Sequence, residues 1–170
     1  RILKYLKNGS TTVADNERAL EIAVKVGMAM GGSFIFGTPT ETLSEMEQTF
    51  KWFENNNNLK FIGVNTIIPY PGTEVWNLCK ERGLLPEKVN YNLLVPTGIP
   101  SKTYIIDKAV SVTAFNNYIV DIQRMAWIFT QVRCGRGFWR LAYRKTWWWA
   151  WLRHPNKMLK LLLREFGGGA

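Results

Sequence analysis

Two short apolar runs constrain this chain more than any other feature. Met28 to Phe36 and Phe61 to Ile68 are each the length of a buried strand, and a whole helix-forming segment lies between them. A connection that long does not make a hairpin, so the runs predict parallel pairing with a helical crossover. Right-handed crossover geometry puts the strands side by side, with the flanking helices on one face. Two parallel strands are a poor sheet alone, because parallel strands are normally covered on both faces and belong to a larger sheet or barrel. The expected fold class is therefore α/β, a slice of an α/β barrel.

The helix boundaries are written in short-range signals. Thr12 predicts an N-cap for a helix to about Val26, with Asp15 and Glu17 in its first turn and Gly27 as a left-handed close. Val13, Leu20, Ala23, Val24 and Gly27 form its apolar stripe. Met28 and Met30 are assigned to the strand core. Thr42 and Glu45 form a capping box, followed by Leu43, Met46, Phe50 and Phe53 on one helical face. Thr73 caps a short helix that Gly83 ends.

Ligands of barrels and open α/β sheets bind at the carboxyl ends of strands. Here those ends are Ile35-Phe-Gly-Thr-Pro-Thr-Glu41 and Ile67-Ile-Pro-Tyr-Pro-Gly-Thr73. Ser33, Ile35 and Gly37 share a face because strand side chains alternate. Gly37 would let a flat ligand approach the backbone, and Ile35 would wall it. The helix N-termini at Thr42 and Thr73 favour an anion. Asn65, Thr66 and Tyr70 are the polar groups nearest this mouth, with structural roles equally open to them. Simple turn punctuation explains either glycine- and proline-bearing turn alone; the pair favours a ligand site.

Charge divides the 170 residues into two units. Residues 1–95 carry ten basic and ten acidic residues, whereas residues 96–170 carry twelve basic and three acidic ones, so the net +9 belongs to the second part. Six of the eight Trp lie there too. The segment Val95-Pro-Thr-Gly-Ile-Pro100 reads as an extended linker, giving units 1–95 and 96–170. Two cysteines are too few for a disulfide scaffold, a structural zinc site or an iron–sulfur cluster. With no secretory signal and no membrane-spanning apolar run, a cytoplasmic location is expected. Because the chain starts at Arg1 in mid-pattern, a fragment of a longer protein is expected.

The ordered stretches Leu3-Lys-Tyr-Leu-Lys-Asn-Gly-Ser-Thr11, Ala19 to Gly27, Gly32-Ser-Phe-Ile-Phe-Gly-Thr-Pro-Thr-Glu-Thr42 and Pro69-Tyr-Pro-Gly-Thr73 resemble the radical S-adenosylmethionine superfamily. They look closest to the branch that often carries a cobalamin-binding domain. The resemblance covers roughly residues 1–85 and implies the C-terminal portion of a partial (β/α)6 barrel. Ile35 and Gly37 match the strand that contacts adenine in that family; Ser33 stands where a glycine is usual, and Thr40 replaces a glycine before Glu41 and Thr42. The cofactor-side residues so implied are Ser33, Ile35, Gly37, Glu41, Asn65 and Ile67. The implied cofactors are S-adenosylmethionine and a 4Fe–4S cluster, with cobalamin as a further candidate. The cluster's cysteine motif is absent from this sequence, so no metal ligand is expected here and the chain alone is expected to be inactive. The implied function is a share in radical cleavage of S-adenosylmethionine, this segment supplying an adenine shelf and a substrate wall. The cofactor would carry the chemistry and the protein would orient it.

The second unit reads as an all-α extension: Ile105 to about Val132, closed by Cys134-Gly-Arg-Gly137, then about Phe138 to Arg153, then Pro155 to about Glu165. Between residues 133 and 164 there are nine basic residues and no acid, around Trp147-Trp-Trp-Ala-Trp151. Three readings stay open. The tryptophans pack as core; or they meet an anionic membrane surface, placing the protein peripherally on the inner face and suiting a lipid-like substrate; or, ranked below these, they stack on RNA. A non-catalytic basic adaptor binding membrane or RNA is the alternative to an enzyme. Cys79 and Cys134 read as incidental thiols, His154 as a helix-ending residue, and the terminal Gly167-Gly-Gly-Ala170 as a frayed end.

Overall fold

The computed structural model describes residues 1–94, 110–135 and 141–166. Helices α1 (Ile2–Lys7) and α2 (Val13–Lys25) precede strand β1 (Met30–Phe36), helix α3 (Leu43–Asn55) and strand β2 (Leu59–Thr66). Helix α4 (Glu74–Glu81) and a single 3-10 turn (Tyr91–Leu93) follow, then α5 (Val112–Arg133), α6 (Lys145–Arg153) and α7 (Pro155–Phe166). The proposed linker around 96–100, the start of the helix expected from Ile105, and the chain end at 167–170 lie outside the described residues.

The short-range signals operate as the sequence predicts. Thr12 and Thr42 each accept from the backbone three residues on, and Asp15 and Glu45 reach back to the two cap N–H groups. Gly27 follows α2 with φ +71°, a left-handed conformation that costs glycine nothing. Thr73 caps α4 by accepting from Trp76 N–H.

β1 and β2 pair in parallel, with Ser33 opposite Gly63, Ile35 opposite Asn65 and Phe36 opposite Thr66. Ile67 prolongs the ladder by donating its N–H to Phe36 O at 2.9 Å. The mixed α/β class stands; among the described residues the sheet has two parallel strands, and no barrel is shown. The outer edge of β2 is covered by a helix. Ile67 bonds toward β1, so by alternation the even-numbered backbone groups of β2 point away from it. A third strand would pair there, and α5 takes its place. Ile62 N–H donates to Thr130 Oγ1 at 3.0 Å, Gln123 Nε2 donates to Val64 O at 3.4 Å, and Cys134 Sγ lies 3.5 Å from Lys60 O. Side chains of a helix thus serve the ladder groups that a neighbouring strand would have served.

One core runs through both parts of the chain. Leu20 of α2, Met46, Phe50 and Phe53 of α3, and Phe36, Leu59 and Ile62 of the sheet share a cluster with Phe115, Ile119, Ile122, Met125 and Phe129 of α5. Leu20 and the α3 residues meeting in this cluster is what right-handed crossover geometry predicts. Ring pairs knit it, Phe34 to Phe53 at 4.9 Å and Phe50 to Phe53 at 4.8 Å. Buried Arg133, at the end of α5, donates to Phe53 O and Glu54 O in the last turn of α3 and to Leu59 O at the start of β2. It satisfies carbonyls that a helix end leaves open. Lys157 and Lys160 of α7 reach Glu54 and Asn55 of the same turn.

Burial corrects several sequence expectations. On α2 only Leu20 and Ala23 are buried, while Val13 and Val24 are exposed, since the helix touches the core along a narrow line. Leu43 and Met28 are exposed as well; Met28 precedes the strand rather than joining it. The helix expected over 138–153 is interrupted at Tyr143 and Arg144, and α6 starts at Lys145; residues 136–140 lie outside the described residues. Of the tryptophan run, Trp147 is 2% exposed and sits in the core, Trp149 and Trp151 are partly buried against it, and Trp148 faces solvent.

Candidate functional site

Strand alternation gives the sheet two unlike faces. Phe34, Phe36, Leu59, Ile62 and Val64 point into the core. Gly31, Ser33 and Ile35 of β1, with Phe61, Gly63 and Asn65 of β2, make the opposite face, which the helices leave open. On that face Asn65 Nδ2 donates to Ser33 Oγ at 2.8 Å. Ile35 and Phe61, 42% and 50% exposed, supply apolar surface on either side of this polar pair. A Cβ built on Gly63 would lie 3.8 Å from the nearest atoms, among them Ser33 Oγ and Asn65 Nδ2. The face is therefore flat at its centre, with room for a planar group beside a hydroxyl and an amide.

Of the six cofactor-side residues expected from sequence, the structure brings Ser33, Ile35 and Asn65 together on this face. Ile67 follows directly at the end of the ladder. Gly37 and Glu41 sit elsewhere, inside the turn after β1. Gly37 has φ +78°, and a Cβ there would come within 2.7 Å of Phe115 Cζ. Its lack of a side chain makes room for the first turn of α5. Glu41 is 2% exposed; its Oε2 accepts from Gly37 N–H at 2.8 Å and Thr38 N–H at 3.0 Å. Burial pushes its carboxyl up to about 7, against the pull of those two donors. Glu41 shapes the turn that ends β1. Thr40 holds φ +70°, a left-handed conformation that suits glycine, and Arg1 donates to both its hydroxyl and its carbonyl.

Next to it, Glu45 receives Arg1 in a two-pronged pair at 2.7 and 2.6 Å, which with the Thr42 N–H holds its carboxyl down at about 2. Thr66 faces inward and Tyr70 is exposed. Phe61 was missed as a site residue, although period-two spacing from Asn65 through Gly63 already places it on the same face. A separate cleft of about 370 Å³ opens between α1, α2 and α3, lined by Arg1, Val13, Phe34, Glu45 and Trp52 among others. It reaches Phe34, whose side chain is on the covered face of the sheet, so it does not join the open face.

Among the described residues no group of three His, Cys, Asp or Glu side chains could hold a metal ion. Cys79 is buried and its thiol is pushed up by burial, while Cys134 is partly buried at the α5 end. His154 caps α6, and burial together with Lys157 holds its imidazole below the usual range. Among the described residues no helix is long and apolar enough to cross a membrane.

No known protein family matches this chain, and no solved structure does either. The chain is 35% identical over 85 residues to an uncharacterized methyltransferase of Pyrococcus horikoshii. The match takes in 50% of this chain and 18% of that protein's length. These findings correct the assignment to the radical S-adenosylmethionine superfamily and its cobalamin-bearing branch: no family match supports it, and the similarity found runs to a protein named for methyl transfer. The iron–sulfur cluster and cobalamin rested on that assignment alone, and the similarity to a methyltransferase supports neither.

Proposed function

We propose that the chain is part of an S-adenosylmethionine-dependent methyltransferase, and that the open face of the β1–β2 sheet is the shelf for the nucleoside of the methyl donor. The observation that carries the reading is the flat Ser33–Gly63–Asn65 centre between Ile35 and Phe61, on a sheet whose other face is buried. The similarity to an uncharacterized methyltransferase agrees with it. The donor, when bound, supplies an activated methyl group on a sulfonium.

The residues present fit such a group. Gly63 presents no side chain, so a purine ring can lie against the strand backbone, and Ile35 and Phe61 would exclude water from its two sides. Ser33 and Asn65 are held to one another by a hydrogen bond, so their positions are set before a ligand arrives. The Ser33 hydroxyl can donate and the Asn65 amide can both donate and accept, which suits the alternating donors and acceptors of an adenine edge or ribose hydroxyls. Glu41 and Gly37 act one step away: they hold the turn that fixes where β1 stops.

The test is a titration of the isotopically labelled chain with S-adenosylhomocysteine, followed by amide NMR. The expected result is saturable shifts at residues 33, 35, 61, 63 and 65, weakened about tenfold in affinity by Ile35→Ser, which gives up apolar contact with the ring. Shifts confined to other residues, or none at millimolar ligand, would remove this face from the reading.

A further inference from the structure

We infer that the outer face of α6, with the adjoining α7, is a docking surface for an anionic lipid bilayer. The two helices turn Trp147, Ala150, Met158 and Leu161 into the common core. Their other sides are left with large apolar groups in water: Tyr143 just before α6 is 89% exposed, Leu152 85% and Trp148 59%, and Leu159 and Leu163 are exposed on α7. Trp148 and Leu152 are four residues apart, as are Leu159 and Leu163, so each pair lines one helical face.

Charge selects the occupant. Residues 133–164 hold nine basic residues and no acid; Arg133 is buried, Arg144 and Lys145 are exposed at the start of α6, and exposed Arg153 and Lys160 also pair with Asp121 and Asn55. A second copy of the same face would meet like charge, whereas a bilayer carrying phosphatidylserine offers opposite charge and an apolar interior together. Nucleic acid would use the cations but leave three leucines in water. Trp148 is also prepared for the interface, since its indole N–H already donates to Ala142 O at 2.7 Å and loses no water bond when the ring is covered. The described helices are too short or too polar to span, so the contact lies in the plane of the surface. Methyl transfer plays no part in this inference, and either can fail without the other.

Flotation of the 170-residue chain with phosphatidylcholine vesicles, with and without phosphatidylserine, tests it. Binding is expected to the phosphatidylserine vesicles, weaker by about tenfold or more without the anionic lipid or in high salt. Leu152→Ser is expected to lower partitioning about tenfold with an unchanged melting temperature, because that residue is 85% exposed in the folded chain. Val24→Ser, which removes an exposed apolar group on α2, should leave partitioning unchanged. Failure to float with phosphatidylserine vesicles overturns the inference, as does equal loss from Val24→Ser. Tight, salt-sensitive RNA binding that Leu152→Ser leaves intact, alongside absent flotation, would assign the basic surface to nucleic acid instead.

Discussion

The two faces of one small sheet are built from the same two strands and have opposite fates. On the inner face Phe34, Phe36, Leu59 and Ile62 meet α3 and α5 in a continuous core. On the outer face, one residue out of step, glycine, serine and asparagine alternate with a single isoleucine and a single phenylalanine. The inner face supplies stability by apolar burial; the outer face is too polar and too flat to do so and is available for recognition. Strand alternation separates the two tasks at the level of single residues.

The sharpest way to break the contrast is at its buried side. Phe53→Ala removes a fully buried ring that touches Phe34, Phe50 and Phe129, and should cost about 3–5 kcal/mol in denaturant unfolding. A loss below about 1 kcal/mol would mean that the inner face is not packed as described.

The next effect lies where the two faces end, at Glu41. Glu41→Ala strips the acceptor from two buried N–H groups and should cost about 2–4 kcal/mol. Glu41→Gln can keep one oxygen on both donors. Because the folded carboxyl is raised to about 7 from 4.5, the folded state holds a proton that the unfolded chain gives up earlier. Its stabilising effect is complete below about pH 4.5 and is lost as pH rises through about 7. Thermal melts from pH 4.5 to 8 should fall over that window for the native chain and flatten in Glu41→Gln. A native profile that rises instead would contradict the burial argument.

A matched glycine pair gives the smallest and most discriminating comparison. Gly37→Ala drives a Cβ into the Phe115 ring at a left-handed φ and should destabilise by about 1–3 kcal/mol. Gly63→Ala places the same methyl on the outer face in ordinary contact with Ser33 Oγ and Asn65 Nδ2, 3.8 Å away, and should stabilise by about 0.5 kcal/mol, while hindering a flat ligand. Equal effects at the two sites would erase the distinction between a glycine needed for packing and one needed for access.

Much of this was readable in advance. Thr12, Thr42 and Thr73 each cap a helix, the two apolar runs pair in parallel, and Ser33 and Ile35 share a face; that Asn65 joins them depends on the register of β2. The misreadings have a common cause. Val13, Val24 and Met28 satisfy an apolar pattern but stay about half exposed or more, and Gly37 looks like a place for a ligand until Phe115 is seen to fill it. Among the described residues the sheet stops at two strands, and the edge of β2 is met by α5.

What the sequence determined alone are the features that act within a few residues: caps, left-handed glycines, strand alternation and the charge division between 1–95 and 96–170. Hydrogen bonds to the third residue and preferences in φ need no distant partner. Only the tertiary structure decided which sheet face is covered, which tryptophans are core and what closes the edge of β2. Those outcomes depend on pairs such as Ile62 with Thr130 or Phe53 with Arg133, 68 and 80 residues apart, whose meeting no local pattern encodes.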